Sequence, residues 1–404
     1  MSRTFAPSFL ARSVESFHRR RIQPLGKHIC WSGTPDQETV NVKDNDYLCL
    51  AADGRINRAQ ARELLRGGSG LQMSGVFLRE DDHDHAHRRF ERAMADFCGM
   101  GDAIFCQSGF DANVGLMQFL LNEYNDESIP VYLDLFAHMS FQVGIRAAGG
   151  RAVLFRHNDA DSLIRALDRG GPGIIVVDSL YSTMGTEAPL TVLQEIARNY
   201  GSVLVVDESH SLGVAGPDGA GLCAQYGVEP DFITASMAKA FAFMGGMVLC
   251  ARPEYGIAFR SLSMPAVFSS IPSPHVSARG LKTLAIIRAE EFRRERLRAG
   301  ARLLRDGLRA LDYPIGDTES WIIPLVIGDE TETAAFRDAL EEYNIFAALF
   351  APPATSLKGN LVRLTVNCGH SHADLEYILE AFRELRADFN PSRWRGARRA
   401  GTKG

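Results

Sequence analysis

Val203-Leu204-Val205-Val206-Asp207-Glu208-Ser209-His210 runs from four apolar residues straight into four polar ones. A continuous apolar run of this kind reads as a strand buried on both faces, and such strands belong to parallel sheets covered by helices. Asp207 at its end is therefore expected at the carboxyl edge of the sheet, where open α/β folds bind ligands. Further on, at 32 positions beyond Asp207, Ser236-Met237-Ala238-Lys239-Ala240-Phe241 sets a lysine among small neighbours, ahead of Gly245-Gly246.

The rest of the chain reads outward from this strand. Residues 103–106, 131–134, 152–155, 173–178, 232–235 and 246–250 have the same buried-strand character. Residues 110–122, 138–148, 159–167 and 190–199 between them have helical periodicity, with Val114, Met117, Leu120 and Leu121 on one side of the first. The alternation predicts an α/β fold, a mostly parallel sheet with helices on both faces. A charged helical stretch over residues 275–311 reads as a connection between lobes. After it, strands at 322–327, 346–350 and 361–366 alternate with helices at 333–343 and 373–385, which predicts a smaller α+β domain. The expected organisation is a helix and lead-in over residues 1–50, a large α/β domain over 51–280, a small C-terminal domain over 281–390 and a basic, disordered tail over 391–404.

Composition narrows the function classes. A chain of 404 residues with 46% hydrophobic content can bury a sizeable core. Its net charge of −5 carries no electrostatic footprint for nucleic acid. Seven cysteines without a CxxC pair suit a reducing, cytoplasmic setting. No apolar run reaches the roughly 20 residues of a membrane span. Phe9, Leu10, Val14 and Phe17 recur at helical spacing ahead of Arg19, Arg20 and Arg21. That amphipathic stretch reads as a helix packed on the body or on a second subunit, the alternative being contact with an anionic surface. Asp81-Asp82-His83-Asp84-His85-Ala86-His87 gathers metal-ligand types, yet histidines two apart do not share a helix face. A solvated loop accounts for that run, and no metal is expected there or at His370 and His372.

Four strand ends carry polar clusters, beginning with Gln107-Ser108-Gly109-Phe110, which opens a helix and so presents backbone N–H groups to an anion. The others are residues 134–138, 178–182 and 207–210. A buried acid at a strand end and a lysine in a small-residue loop together suit pyridoxal phosphate. The lysine amine forms a Schiff base with its aldehyde, while the carboxylate keeps the pyridine nitrogen protonated and the ring electron-accepting.

The motifs in order resemble those of the α-oxoamine synthases, fold-type I pyridoxal-phosphate enzymes that condense an amino acid with an acyl-CoA. Asn45-Asp46-Tyr47-Leu48-Cys49-Leu50 is similar to the family's NDYLGL signature, and Ser74-Gly75 to its SG turn. His87-Arg88-Arg89-Phe90-Glu91 resembles its HxxLE helix, and Ser108-Gly109-Phe110-Asp111-Ala112-Asn113 its SGFxAN phosphate turn. Asp134 to Ser140 resembles DxxNHAS, with Phe136 where asparagine is usual. His157-Asn158-Asp159, Asp207-Glu208-Ser209-His210, Lys239 and Leu361-Val362-Arg363-Leu364 complete the series.

That resemblance implies a role for each matching position. Lys239 would carry the cofactor and move the Cα proton, His138 would stack on the ring, and Asp207 would pair with its nitrogen. Ser182 and His210 would bond the phenolic oxygen. Ser108, the Gly109 and Phe110 amides and the Ser236 hydroxyl would hold the phosphate, joined by Ser270 from a second subunit. Asn45 and Arg363 would grip the substrate carboxylate, a job suited to arginine's planar fork. Lys239, His138, Asp207 and His210 form the expected catalytic set, in a homodimer with shared sites.

Departures from the pattern fall near where substrates would lie. The stretch before the SG turn is Gly70-Leu71-Gln72-Met73, Ser182-Thr183-Met184-Gly185 stands for SMDG, and Asp178 replaces a glutamate. Apolar Leu71 and Met73 favour a long acyl chain. The pattern is similar to the branch that joins a medium-chain acyl-CoA to a small amino acid on the way to α-hydroxyketone quorum-sensing autoinducers. Other branches stay open: 8-amino-7-oxononanoate synthase, 2-amino-3-oxobutyrate CoA ligase, aminolevulinate synthase and soluble serine palmitoyltransferase. A non-catalytic partner subunit also stays open, although such subunits usually lose the lysine that is present here.

Overall fold

A computed structural model describes residues 8–36, 39–67, 73–78, 84–122, 124 and 128–400. Among them the strands, in chain order, are β1 Val40–Val42, β2 Asp102–Cys106, β3 Val131–Asp134, β4 Ala152–Phe155, β5 Ile174–Asp178 and β6 Val203–Asp207. β7 Phe232–Ser236, β8 Gly246–Cys250, β9 Ile322–Gly328, β10 Ile345–Phe350 and β11 Asn360–Thr365 follow. The chain divides into two compact units.

The larger unit takes Asn45–Ala299 with Asn367–Gly369. Its seven strands run in the order β2-β8-β7-β6-β5-β3-β4. β3 to β7 pair in parallel, as their continuous apolar runs predict, and β8 alone runs antiparallel to both neighbours. Val176, Val205, Val248 and Leu133 are wholly buried between the sheet and its helices. The stretch expected as one connecting helix is two, Pro274–Ala289 and Glu291–Ala310. Glu290 separates them with ψ of 64°, outside the helical range, and it pairs with Arg55 and Arg293. The first of the two packs on the helices Gly54–Gly67 and Ala86–Cys98, so the larger unit extends past the expected boundary at residue 280.

A buried ion cluster anchors β2. Glu91 on the helix Ala86–Cys98 accepts from Arg88 and Arg260, each at 2.8 Å, and its second oxygen accepts the Phe105 N–H at 2.8 Å. Burial alone would push the Glu91 carboxyl up, but the Arg260 and Arg88 guanidiniums hold it below the usual carboxylate range.

The smaller unit comprises Met1–Asp44, Gly300–Val366 and His370–Gly404. Its sheet runs β1-β10-β11-β9, and parallel pairing of β1 with β10 draws the N-terminal segment into this unit. Within the stretch expected as a disordered tail, Pro391–Arg393 form a 3₁₀ turn and Arg395–Ala400 a helix, while residues 401–404 lie outside the described residues. Trp394 is wholly buried against Phe336 and Tyr313, and its indole N–H donates to Glu332 at 2.9 Å. One aromatic of that size outweighs the basic composition around it.

On the N-terminal helix Ser8–Phe17 the side chains of Phe9, Leu10, Val14 and Phe17 are exposed, Phe9 to 69%, and the Phe17 ring stacks on His28. Among the described residues no helix is long and apolar enough to cross a membrane.

Candidate active site

The carboxyl ends of β2, β5, β6 and β7 deliver Ser108, Asp178, Asp207 and Ser236 to one place, and Lys239 follows in the loop before β8. With Gly109, Phe110, Asn113, His138, Ser209 and His210 they line a cavity of about 270 Å³ in the larger unit. Asp207 sits there because its strand is central, flanked by β5 and β7, and its side chain is only 4% exposed.

A hydrogen-bonded chain fixes the acid and the histidine together. The Asn113 amide donates to Asp207 Oδ2 at 2.8 Å and to Ser140 Oγ at 2.9 Å. The Ser140 hydroxyl lies 2.6 Å from His138 Nδ1. The Ser140 backbone N–H also points at Nδ1, at 3.4 Å, so Nδ1 is the acceptor of both groups and the imidazole keeps its proton on Nε2. His138 is the N-cap of the helix Met139–Ala147 rather than its first residue, which presents the ring to the cavity. Burial pushes this imidazole towards its neutral form, against the opposing pull of Asp207. Asp207 Oδ1 accepts the Ser209 N–H at 2.8 Å.

Asp178 lies directly opposite Asp207 across β5 and β6. Burial, and then the neighbouring Asp207 charge, raise the Asp178 carboxyl well above the carboxylate range. Only one of two adjacent carboxyls ionises readily in such a site. Asp178 also accepts the His138 N–H at 3.1 Å.

The phosphate end is built from backbone. Ser108 caps the helix Gly109–Leu120, accepting the Asp111 N–H at 3.1 Å. A Cβ at Gly109 would stand 2.8 Å from Ser236 Cβ, so only glycine lets these two loops meet. That close approach leaves a helix N-terminus beside the Ser236 hydroxyl, a donor set that fits a phosphate. A buried acid at one end, a lysine in the wall and an anion cradle fit pyridoxal phosphate as a whole.

The remaining expected residues are distributed differently. Tyr47 hydroxyl lies 2.5 Å from His210 Nδ1 and 3.3 Å from Asn45 Oδ1. Ser182 sits in the turn closed by the Gly185 N–H to Tyr181 carbonyl bond at 2.8 Å, and it is not among the cavity-lining residues. Ser270 bridges to Ser74 and lines a separate small cavity with His87 and Glu91. Arg363 is buried on β11 of the smaller unit, its guanidinium 4.7 Å from the Phe350 ring centre. Leu71 lies outside the described residues, as does His83. Sequence reading assigned no role to Asn113, Ser140 or Tyr47, although all three fall inside the quoted motifs. The spacing of Asn113 four residues after Gly109, one helical turn, was the available signal.

The model of the family aminotransferase class I and II matches residues 41–382. The chain belongs to this family. Among curated class I and II relatives, the CAI-1 autoinducer synthase of Vibrio campbellii is 41% identical over 94% of this chain and 95% of its own length. The 8-amino-7-oxononanoate synthase of Alkalilimnicola ehrlichii is 30% identical, over 95% and 98% respectively. A serine palmitoyltransferase from S. paucimobilis, solved with a bound PLP–myriocin aldimine, superposes with a TM-score of 0.86 over 95% of this chain and 99% of that one. At 24% identity that likeness establishes the shared fold.

Proposed function

We propose that the chain catalyses the pyridoxal-phosphate-dependent, decarboxylative condensation of a small amino acid with a medium-chain acyl-CoA. The α-aminoketone formed would be a precursor of an α-hydroxyketone autoinducer. The observation that carries the reading is the single cavity joining Lys239, Asp207, His138 and the Ser108–Phe110 cradle. Likeness to the Vibrio campbellii synthase, greater than to the 8-amino-7-oxononanoate synthase, supports the branch. A cytoplasmic homodimer belongs to the same reading, with Ser270 serving the partner's site.

When bound, pyridoxal phosphate supplies an electron sink at the amino acid's Cα. Asp207 would face the ring nitrogen with its carboxyl group. His138, oriented by Ser140 in the cavity wall, would cover the ring face and keep water from it. The Gly109 and Phe110 amides with Ser236 hold the phosphate and so set the register of everything else. His210 would hydrogen-bond the ring oxygen from the cavity wall, which Ser182 does not line. On the larger unit, Asn45 would bind the substrate carboxylate. The Lys239 amine takes the proton from Cα, which then bonds to the acyl carbon as CoA leaves. Carbon dioxide departs and Lys239 returns a proton to the same carbon.

A panel of acyl-CoA chain lengths against several amino acids, read by CoA release and product mass, tests the proposal. Release with a medium-chain donor and a small amino acid, with loss of carbon dioxide, is expected. Turnover confined to the substrates of an 8-amino-7-oxononanoate synthase would move the chain to that branch, and no release with any pair would refute the activity.

A further inference from the structure

His210 reaches the Lys239 cavity with its opposite side pinned. Its Nδ1 lies 2.5 Å from the Tyr47 hydroxyl, and both residues are buried in the larger unit. The two rings are inclined at 50° with centres 6.2 Å apart, so they meet through that edge contact and do not stack. Tyr47 is held independently of His210. Its carbonyl accepts the Cys368 N–H at 2.9 Å, and its own N–H donates to the Asn45 carbonyl at 2.8 Å.

Two proton arrangements fit such a contact. In one, the tyrosine O–H donates to Nδ1. In the other, Nδ1–H donates to the tyrosine oxygen, whose proton must then pass to Asn45 Oδ1 at 3.3 Å. Both keep a proton in the 2.5 Å contact and differ in which atom carries it. The phenolic O–H is the stronger donor of the two and the imidazole nitrogen the stronger acceptor, which favours the first. The hydrogen bond made by one ring nitrogen decides which nitrogen carries the proton.

We infer that Tyr47 is a positioning residue that donates to His210 Nδ1, holds the imidazole as its Nε2–H tautomer, and thereby makes it a fixed hydrogen-bond donor at the cavity. The inference uses the pyridoxal-phosphate reading only for what the donor meets, the cofactor's ring oxygen. Around that cavity the charged and titratable groups are Asp178, Asp207, His138 and Lys239. Ser140 serves His138 from the helix Met139–Ala147, and Tyr47 serves His210 from the segment after Asn45, so each histidine has its own anchor on a separate part of the chain.

Tyr47→Phe keeps the ring and removes the hydroxyl. In apo protein labelled with ¹⁵N-histidine, wild-type His210 is expected to show an unprotonated Nδ1 and a protonated Nε2, and the variant a mixture of tautomers. In protein loaded with pyridoxal phosphate, the variant is expected to shift the pH midpoint of the visible absorbance by about one unit. Its kcat is expected to fall about tenfold, the worth of one hydrogen bond to a charged group, with little change in KM. In a His210→Gln background, Tyr47→Phe is expected to add no spectral change, because the group it acts through is gone. Wild-type His210 protonated at Nδ1, or a variant with unchanged tautomer and midpoint, overturns the inference. If the wild type takes up no pyridoxal phosphate, the cofactor reading fails while the apo tautomer comparison still decides the role of Tyr47. Should Tyr47→Phe not fold, the wild-type tautomer decides alone.

Discussion

The amide nitrogen of Asn113 donates to Asp207 Oδ2 at 2.8 Å, with Asn113 2% and Asp207 4% exposed. Asn113 rises from the helix that opens with the phosphate cradle, whereas Asp207 ends the central strand β6. One side chain thus ties the two ends of the cofactor site together, and through Ser140 it reaches His138 as well.

Asn113→Ala removes two hydrogen bonds and leaves a buried carboxylate with one donor fewer. A loss of roughly 1–3 kcal/mol is usual for such a group. Pyridoxal phosphate affinity is expected to weaken about tenfold or more, measured by titrating apo protein and following visible absorbance. Unchanged affinity would show that the amide serves packing alone.

Lys239→Ala removes the only lysine lining the cavity among the described residues. Both the visible absorbance of the bound cofactor and CoA release are expected to vanish. A variant that keeps the wild-type spectrum would place the reacting amine elsewhere.

Glu91→Gln removes the carboxylate shared by Arg88 and Arg260, both almost wholly buried, and leaves Arg88 its longer 3.6 Å pair with Asp102. Breaking a buried ion pair from one side costs about 3–5 kcal/mol. The urea midpoint is expected to drop accordingly. A shift under about 1 kcal/mol would mean that water or a neighbour compensates the two guanidiniums.

Burial lowers the His87 imidazole to about 4, against an ordinary 6.5, and its Nδ1 lies 2.6 Å from the Ser277 hydroxyl. Between those values the unfolded chain binds the proton and the folded one does not. Stability from this group is therefore full above about pH 6.5 and is lost as the pH falls towards 4, by roughly 3 kcal/mol in all. Urea midpoints measured between pH 7 and 4 are expected to fall more steeply for the wild type than for His87→Asn. Parallel curves would assign the acid sensitivity to other groups. Glu91, held below the ordinary carboxylate range, acts lower: its contribution is complete above about pH 4.3 and fades below it.

Local pattern carried much of the fold. The apolar runs of β3, β5 and β6 and their polar ends were legible because strands buried on both faces have no choice but to be continuously hydrophobic. β1 escaped notice, since Val40–Val42 is three residues long and becomes a strand only by pairing with β10, some 300 positions away. The break at Glu290 was hidden for a related reason, as its stabilising partner Arg55 is distant in sequence. Trp394 read as part of a basic tail because its burial depends on Tyr313 and Phe336.

For the site, polar strand ends and a lysine in a small-residue loop pointed to Asp207, Lys239 and the Ser108–Phe110 turn, and the family resemblance added His138 and His210; the fold gathers all of them round one cavity. Protonation and orientation were not contained in that order. They arise where groups from separate elements come within hydrogen-bonding distance: Asn113 on Asp207, Ser140 on His138, Asp178 opposite Asp207, and Tyr47 on His210. A linear motif names the groups that can react. Folding alone sets the distances of 2.5 to 2.8 Å that orient three of those pairs.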